Sequence, residues 1–371
     1  MYALIFVDET ALISLVPLVP SYKEALGLSG FEAGVLLSAA SIAIVAGSIP
    51  GGLAGDRLGS RRVTLAAGGL LALSCIGQGV APDLAALLAA RLAFGVASAV
   101  IWSAGLSWLS DSTGDRPGAL GAVMAIAGAA GMVGPVFAGV VADRVSRGAP
   151  FIVLGVLSAA ITAALLLSQR GSERHHEHHS LRSVFGIARR DALITGAVIM
   201  MLLGGFSDGV VNLIGPSQLA DAGKSSAWIG LILSIGAGLF ILSATVTARA
   251  GRRAVTLVLG AVCTALSAVV LGPVLASSSV AVVASMLLLR APLLGAMYAI
   301  CFPLGVGGAR RVGVGAGSIN GLLGFAWGGA SFAGAVVAGS FVEAAGASAV
   351  YALLACACLV ATGALATLAR R

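Results

Sequence analysis

Charge is scarce in this sequence. Asp, Glu, Lys and Arg make up 10% of its 371 residues, where soluble globular domains carry about a quarter. With 58% of the chain hydrophobic, that scarcity excludes a soluble domain of this size. Histidine is scarcer still: His175, His176, His178 and His179 are the only ones, and all stand in one polar run. No apolar stretch therefore holds the His or Ser–His pair that catalysis inside a bilayer would need. The five cysteines, Cys75, Cys263, Cys301, Cys356 and Cys358, each lie in an apolar stretch, which suggests neither a disulfide framework nor a metal cluster. Gly223-Lys224-Ser225-Ser226 has the end of a phosphate-binding loop, but Gln218 stands where its first glycine belongs and no strand precedes it. No nucleotide, cofactor or resident metal is expected, so the energy source must be an ion gradient or the solute gradient itself.

What is present is a succession of long apolar stretches. Spans are expected at 2–20, 32–54, 63–81, 84–110, 118–141, 149–168, 192–216, 226–247, 253–273, 278–306, 314–341 and 346–369. Each is long enough to cross about 30 Å of hydrocarbon as a helix. The fold class is thus all-α integral membrane, with twelve transmembrane helices. Arginines crowd one set of loops, at Arg57, Arg61, Arg62, Arg116, Arg170, Arg174, Arg182, Arg189, Arg190, Arg249, Arg252, Arg253, Arg310 and Arg311. The opposite loops keep Lys23, Arg144, Arg147 and Lys224. The positive-inside rule then puts both termini in the cytosol of a bacterial cell, with the chain in its inner membrane. The net charge of +7 follows from this distribution, so no nucleic acid is implied and membrane lipid is the expected surrounding.

The longest polar stretch divides the chain into a six-helix half at 1–168, a cytoplasmic linker at 169–191 and a second six-helix half at 192–371. Clustered imidazoles in the linker suit a metal ion, but the run reads as a solvated connection. The halves repeat each other. Asp8 before Pro17 corresponds to Asp208 before Pro216, Gly34 and Ser38 to Gly230 and Ser234, and Arg57, Gly59 and Arg61 to Arg249, Gly251 and Arg253. Arg91 is echoed by Arg290, and Gly134 and Gly139 by Gly329 and Gly334. Two parallel repeats around a central site form a transporter architecture.

Between spans two and three the chain reads Gly52-Leu-Ala-Gly-Asp56-Arg57-Leu-Gly59-Ser-Arg61-Arg62. Gly59 permits a tight turn, Asp56 suits a helix N-terminus or an arginine, and Arg61 and Arg62 anchor the turn. This segment resembles the loop signature of the major facilitator superfamily, G-x-x-x-D-R-x-G-x-R-[RK]. The resemblance implies a latch between the two halves on the cytosolic side. A degenerate copy runs from Arg249 through Gly251 to Arg253, with Ala248 in the place of Asp56. Further stretches resemble the twelve-span drug:proton antiporter branch. They are Pro17-Leu-Val-Pro20, then Leu87-x-x-x-Arg91-x-x-Phe94-Gly95, and finally Gly121, Ala130, Gly134, Pro135, Ala138 and Gly139. The branch usually has Gln at the position of Phe94 and Gly at those of Ala130 and Ala138. Pro135 removes one helix hydrogen bond and bends span five. Members of the family carry a longer lead-in than Met1-Tyr2, so the natural start is expected upstream.

Ionisable side chains within spans cost at least about 2.5 kcal/mol and face a partner or a wet cavity. Asp8, Glu9, Arg91, Asp208 and Arg290 fall on spans one, four, seven and ten, which the resemblance places around the transport path. Asp8 or Asp208 is the expected proton carrier, in competition with a cationic or polar substrate. Glu9 aligns with Gly209 in the repeat and points elsewhere than Asp8. Asp8 and Arg91 sit at depths about 12 Å apart, too far for direct pairing. Arg91, Gly95, Ser98 and Trp102 share one face of span four, and Asn320, Gly324, Trp327 and Ser331 one face of span eleven. Both stripes suit either a path lining or helix packing. The expected activity is proton-coupled export of small amphipathic or cationic compounds by a monomer. The alternatives are an importer or facilitator of a small organic anion held by Arg91 and Arg290, and a membrane-embedded enzyme or sensor.

Overall fold

The computed structural model describes the backbone of residues 1–113, 117–167, 191–251, 255–312 and 316–370, with side chains except at 49, 56, 110–113, 117–121, 316–318, 320 and 321. The side chains of Asp56 and Asn320, the surroundings of Gly121, Arg253, and the histidines of the linker lie outside the described residues.

Among the described residues all regular structure is helical. The first span, α1, runs from Tyr2 to Leu26 in three pieces: an α-helix to Ser14, a 3-10 turn at Val16–Leu18, and a second α-helix from Val19. Pro17 and Pro20 stand at the starts of the later pieces, where a missing N–H is tolerated. Gly27, at φ 63°, ends the span. The span thus outlasts the expected limit at residue 20, because Ser21, Lys23 and Glu24 remain helical past the apolar run. Next come α2 (Gly30–Leu58) and α3 (Ser60–Val80). In α4, the α-helix Leu84–Val100 passes through a π-helical turn, Ile101–Gly105, into Leu106–Thr113. Helices α5 (Pro117–Arg144) and α6 (Ala149–Leu167) complete the first half.

The second half begins with α7 (Ala192–Asp221), α8 (Ser226–Ala250), α9 (Leu257–Ala276) and α10 (Val280–Arg311). The helical stretch Ala316–Ala369 is broken at Gly346, whose φ of 80° is left-handed. It therefore divides into α11 (316–345) and α12 (347–369), which completes twelve helices among the described residues.

Several helix starts carry their own caps. Ser29 and Glu32 form a capping box on α2. Asp83 accepts from Ala86 N–H on α4, Asp191 from Leu193 and Ile194 on α7, and Thr256 from Leu259 on α9. The outward faces of the helices are apolar: Leu73 and Val360 are 70% and 73% exposed. Such helices are solvated by hydrocarbon rather than water, and their lengths and compositions suit membrane spans.

The stretch expected as a loop at 52–62 is almost entirely helical. Gly52–Leu58 ends α2, Ser60–Arg62 begins α3, and the turn reduces to Gly59 at φ 92°. A single residue reverses the chain because glycine alone enters this region without a Cβ clash.

The described residues form two compact units. One holds the chain up to Leu167 together with Lys224–Ser234; the other holds residues 191–223 and 235–370. The first unit is centred on Leu4, Ile5, Leu71, Phe94 and Leu154, the second on Met200, Met297, Ile300, Ile319 and Leu365.

Candidate functional site

In the first unit, α1 and α4 bring Asp8 against Ser98 and Trp102, which lie four residues apart where α4 enters its π-helical turn. Asp8 is fully buried. Its Oδ2 accepts from Ser98 Oγ at 2.9 Å and from Trp102 Nε1 at 3.1 Å. Its Oδ1 has no hydrogen-bond partner among the described residues. Glu9 is half-buried beside it. π-helical turns tend to mark functional sites, and here the turn carries the indole that holds Asp8.

Arg91 does not pair with Asp8. Its Nη2 donates to the carbonyl of Leu12 at 2.9 Å, and its Nη1 to the carbonyl of Ala11 at 3.4 Å and to Gln78 Oε1 at 3.2 Å. Its guanidinium lies 5.1 Å from the centroid of the Phe94 ring, within cation–π range. Ala11 and Leu12 belong to the last turn of the helix ending at Ser14, where carbonyls lack intrahelical partners. Arg91 therefore caps the break in α1. The carboxamide absent at position 94 is supplied by Gln78 of α3, a residue the sequence reading passed over although it is a polar group within an apolar span.

The second unit wires the same residue types differently. Arg290 Nη2 meets Asp208 Oδ1 at 2.5 Å, and Arg290 Nε donates to Ser207 Oγ at 2.9 Å. Tyr298 Oη donates to Asp208 Oδ2 at 3.0 Å. Trp327 Nε1 is shared between Tyr298 Oη at 2.9 Å and Asp208 Oδ2 at 3.3 Å. Phe240 meets the Tyr298 ring edge-on at 5.7 Å. A Cβ on Gly204 would stand 2.5 Å from that ring, so only glycine leaves room for it. Ser207 and Tyr298 were not foreseen. Tyr298 lies about two turns beyond Arg290 on α10, a spacing that keeps both near one face.

The contrast has a backbone cause. α1 is interrupted after Ser14 and presents the carbonyls of Ala11 and Leu12 to Arg91, whereas α7 stays helical from Ala192 to Asp221 through Pro216 and Arg290 bonds side chains of that helix instead. The second arginine turns to the carboxylate, and the first leaves its carboxylate without a cation.

Around the Gly59 turn, Arg61 donates to the carbonyls of Leu165 and Leu166 at the end of α6. Arg57, Arg62 and Arg249 are exposed, and Gly251 also has a positive φ, 63°. Gly52 lies near Ser103 of the π-helical turn. Gly59→Val is expected to cost about 1–2 kcal/mol by forcing a β-branched residue to positive φ. The check is a lowered melting temperature in detergent together with impaired transport in proteoliposomes.

Along α5, Gly134 lies against the carbonyl of Thr10, and its own carbonyl accepts from Ser14 Oγ at 3.5 Å. A Cβ on Gly139 would clash with the Ser226 carbonyl oxygen, and one on Gly230 with that of Pro135. Val136 N–H donates to Ser234 Oγ, and Asp143 Oδ2 accepts from Ala227 N–H. The Pro135 segment is thus in close contact with the first three turns of α8, within the first unit.

A sequence profile described as the Major Facilitator Superfamily matches residues 1–320. Among curated proteins none matches the sequence significantly. Solved structures share the fold at low identity. The nucleoside transporter NupG superposes with a TM-score of 0.80 at 16% identity, covering 99% of this chain and 97% of its own. A POT family transporter in complex with 5-aminolevulinic acid gives 0.78 at 13%, covering 100% and 95%. A bacterial homolog of the human lysosomal transporter Spinster gives 0.72 at 14%, covering 100% and 93%. With the profile spanning most of the chain and the fold matched end to end, this protein belongs to the major facilitator superfamily and is a membrane transporter, not an enzyme.

Proposed function

We propose that the protein exports small amphipathic or cationic compounds across a bacterial inner membrane in exchange for protons, with both termini cytosolic, and that Asp8 is the carrier shared by proton and substrate. The observation that carries this reading is the state of Asp8: a fully buried carboxylate, with one oxygen unpartnered among the described residues. A buried anion without a cation is costly, by several kcal/mol. Either a proton or a cationic substrate neutralises it, and the two compete for one oxygen pair. Exchange follows if the protein reorients only when Asp8 is neutralised.

The organic-anion alternative needs arginines with donors to spare. Arg91 gives both Nη groups to Gln78 and to α1 and keeps only its buried Nε without a partner among the described residues, and Arg290 is bonded to Ser207 and Asp208. A carboxylate substrate would have to displace these partners, which weighs against it. Asp208, already paired, is the weaker proton carrier of the two. The latch at Gly52–Arg62 and the α5 segment around Pro135 are assigned to the alternating-access motion on the strength of the family resemblance.

The test is proton release from purified protein in weakly buffered detergent, read with a pH dye, on adding lipophilic cations or small carboxylates. Release of roughly one proton per bound cation, absent in Asp8→Asn, is expected. Release only with carboxylates, or an unchanged response in Asp8→Asn, would overturn the reading.

A further inference from the structure

At the end of the second unit that bears Arg249, Arg310 and Arg311, α8 and α10 separate. Nearer their middles the two helices touch. A Cβ on Gly295 would clash with the carbonyl oxygen of Phe240, and Ser243 Oγ donates to the carbonyl of Pro292 at 2.7 Å. Beyond that crossing they diverge, and a cavity of about 690 Å³ opens between them, closed at its sides by Leu193 of α7 and by Val255. Its walls include Ala248, Pro303 and Gly307; Arg310 and Arg311 stand in its lining.

In the first unit the corresponding helices approach closely along this stretch. Glycines at 47, 51 and 55 of α2 keep it against α4 along the same stretch. Cβ atoms there would lie 3.1, 2.9 and 2.7 Å from side chains of Ala99, Val100 and Ala104. The repeat that matches Gly34 to Gly230 puts Ser243 and Thr247 at the first two of these positions.

The cavity is lined by apolar or small residues apart from two arginines, and no acidic side chain is among them. Arg310 and Arg311 are exposed and have no hydrogen-bond or ion-pair partner among the described residues. The carboxylate of Asp191, on the same end of the unit, is committed to the first turn of α7. The volume lies within the range of about 300–1,000 Å³ typical of ligand pockets. Apolar walls with unpartnered arginines at the membrane–water boundary fit one kind of occupant, an anionic headgroup on an apolar tail. We infer that this cleft is a binding site for an anionic phospholipid of the leaflet that faces it, with Arg310 and Arg311 on the phosphate and the upper acyl chain along Ala248, Pro303 and Gly307. Proton exchange at Asp8 plays no part in the argument.

The experiment is native mass spectrometry of the purified full chain, titrated with phosphatidylglycerol or phosphatidylcholine. Two variants isolate the site. Arg310→Gln/Arg311→Gln removes the charge at exposed positions. Gly307→Leu fills the cavity where a new Cβ meets only Leu193, at 3.9 Å. The wild type is expected to retain phosphatidylglycerol in preference to phosphatidylcholine. Its affinity should fall roughly twenty-five-fold in the double-arginine variant, about fivefold for each charge, and retention should be lost in Gly307→Leu. Equal retention of the two lipids by the wild type, or unchanged phosphatidylglycerol retention in either variant, would overturn the assignment.

Discussion

Asp8→Asn is expected to abolish the accumulation of substrate against its gradient in proteoliposomes energised by a pH difference, while passive exchange of labelled for unlabelled substrate persists only at raised substrate concentration, since the anionic partner of the substrate is gone. The asparagine carboxamide has the shape of the carboxylate, and its oxygen still accepts from Ser98 and Trp102, which donate to Asp8 Oδ2 in the native protein. What is lost is the ability to bind and release a proton. One unit of pH difference is worth about 1.4 kcal/mol per proton, or roughly a tenfold substrate ratio at one proton per cycle. Without the carboxyl group that ratio falls to one. If the variant concentrates substrate as the wild type does, protons are carried elsewhere, and Asp208 becomes the group to examine.

The second large effect is on stability and concerns Asp208. Its ion pair with Arg290 is mostly buried, with side chains 20% and 9% exposed. Removing one member of a buried pair costs about 3–5 kcal/mol, because the survivor is left uncompensated. The partial exposure of Asp208 places Asp208→Asn near the lower end, at roughly 3 kcal/mol. An apparent melting temperature in detergent lower by about 5 °C or more should follow. Arg290→Gln alone should do the same. The double variant Asp208→Asn/Arg290→Gln should recover most of the loss, since two neutral amides replace a charge and its orphan. Additive losses in this double-mutant cycle would show that the pair is not what holds α7 to α10.

Much of this arrangement could be read before folding, and the unread part has identifiable causes. Span number and the repeat follow from hydrophobic run length and from recurring Asp, Arg and Gly positions, which local sequence displays directly. The face of α4 that carries Ser98 and Trp102 follows from helical spacing, and the depth difference of Asp8 and Arg91 follows from helical rise. The π-helical turn at Ile101–Gly105 has no counterpart in composition or spacing. Its extra residue is accommodated by packing against Gly51 and Gly55 of a distant helix. The different wiring of Asp8 and Asp208 was also hidden, because it depends on α1 breaking after Ser14 while α7 stays helical. Gln78 and Tyr298 carried a weak signal as polar groups within apolar spans, but only the fold shows that each completes a charged cluster.

The interruption of α1 at Val16–Leu18 also acts beyond the bend it puts in a helix. By presenting the carbonyls of Ala11 and Leu12, it keeps a guanidinium occupied and away from the carboxylate one turn earlier. In the copy that stays helical, the equivalent arginine pairs with its aspartate. Pro17 and Pro20 are in this sense electrical insulation: they hold a fixed positive charge off Asp8, so that its negative charge stays available to mobile ions. A first half with α1 healed into one continuous helix would resemble the second half, with its carboxylate bound to a resident cation and no vacancy to trade.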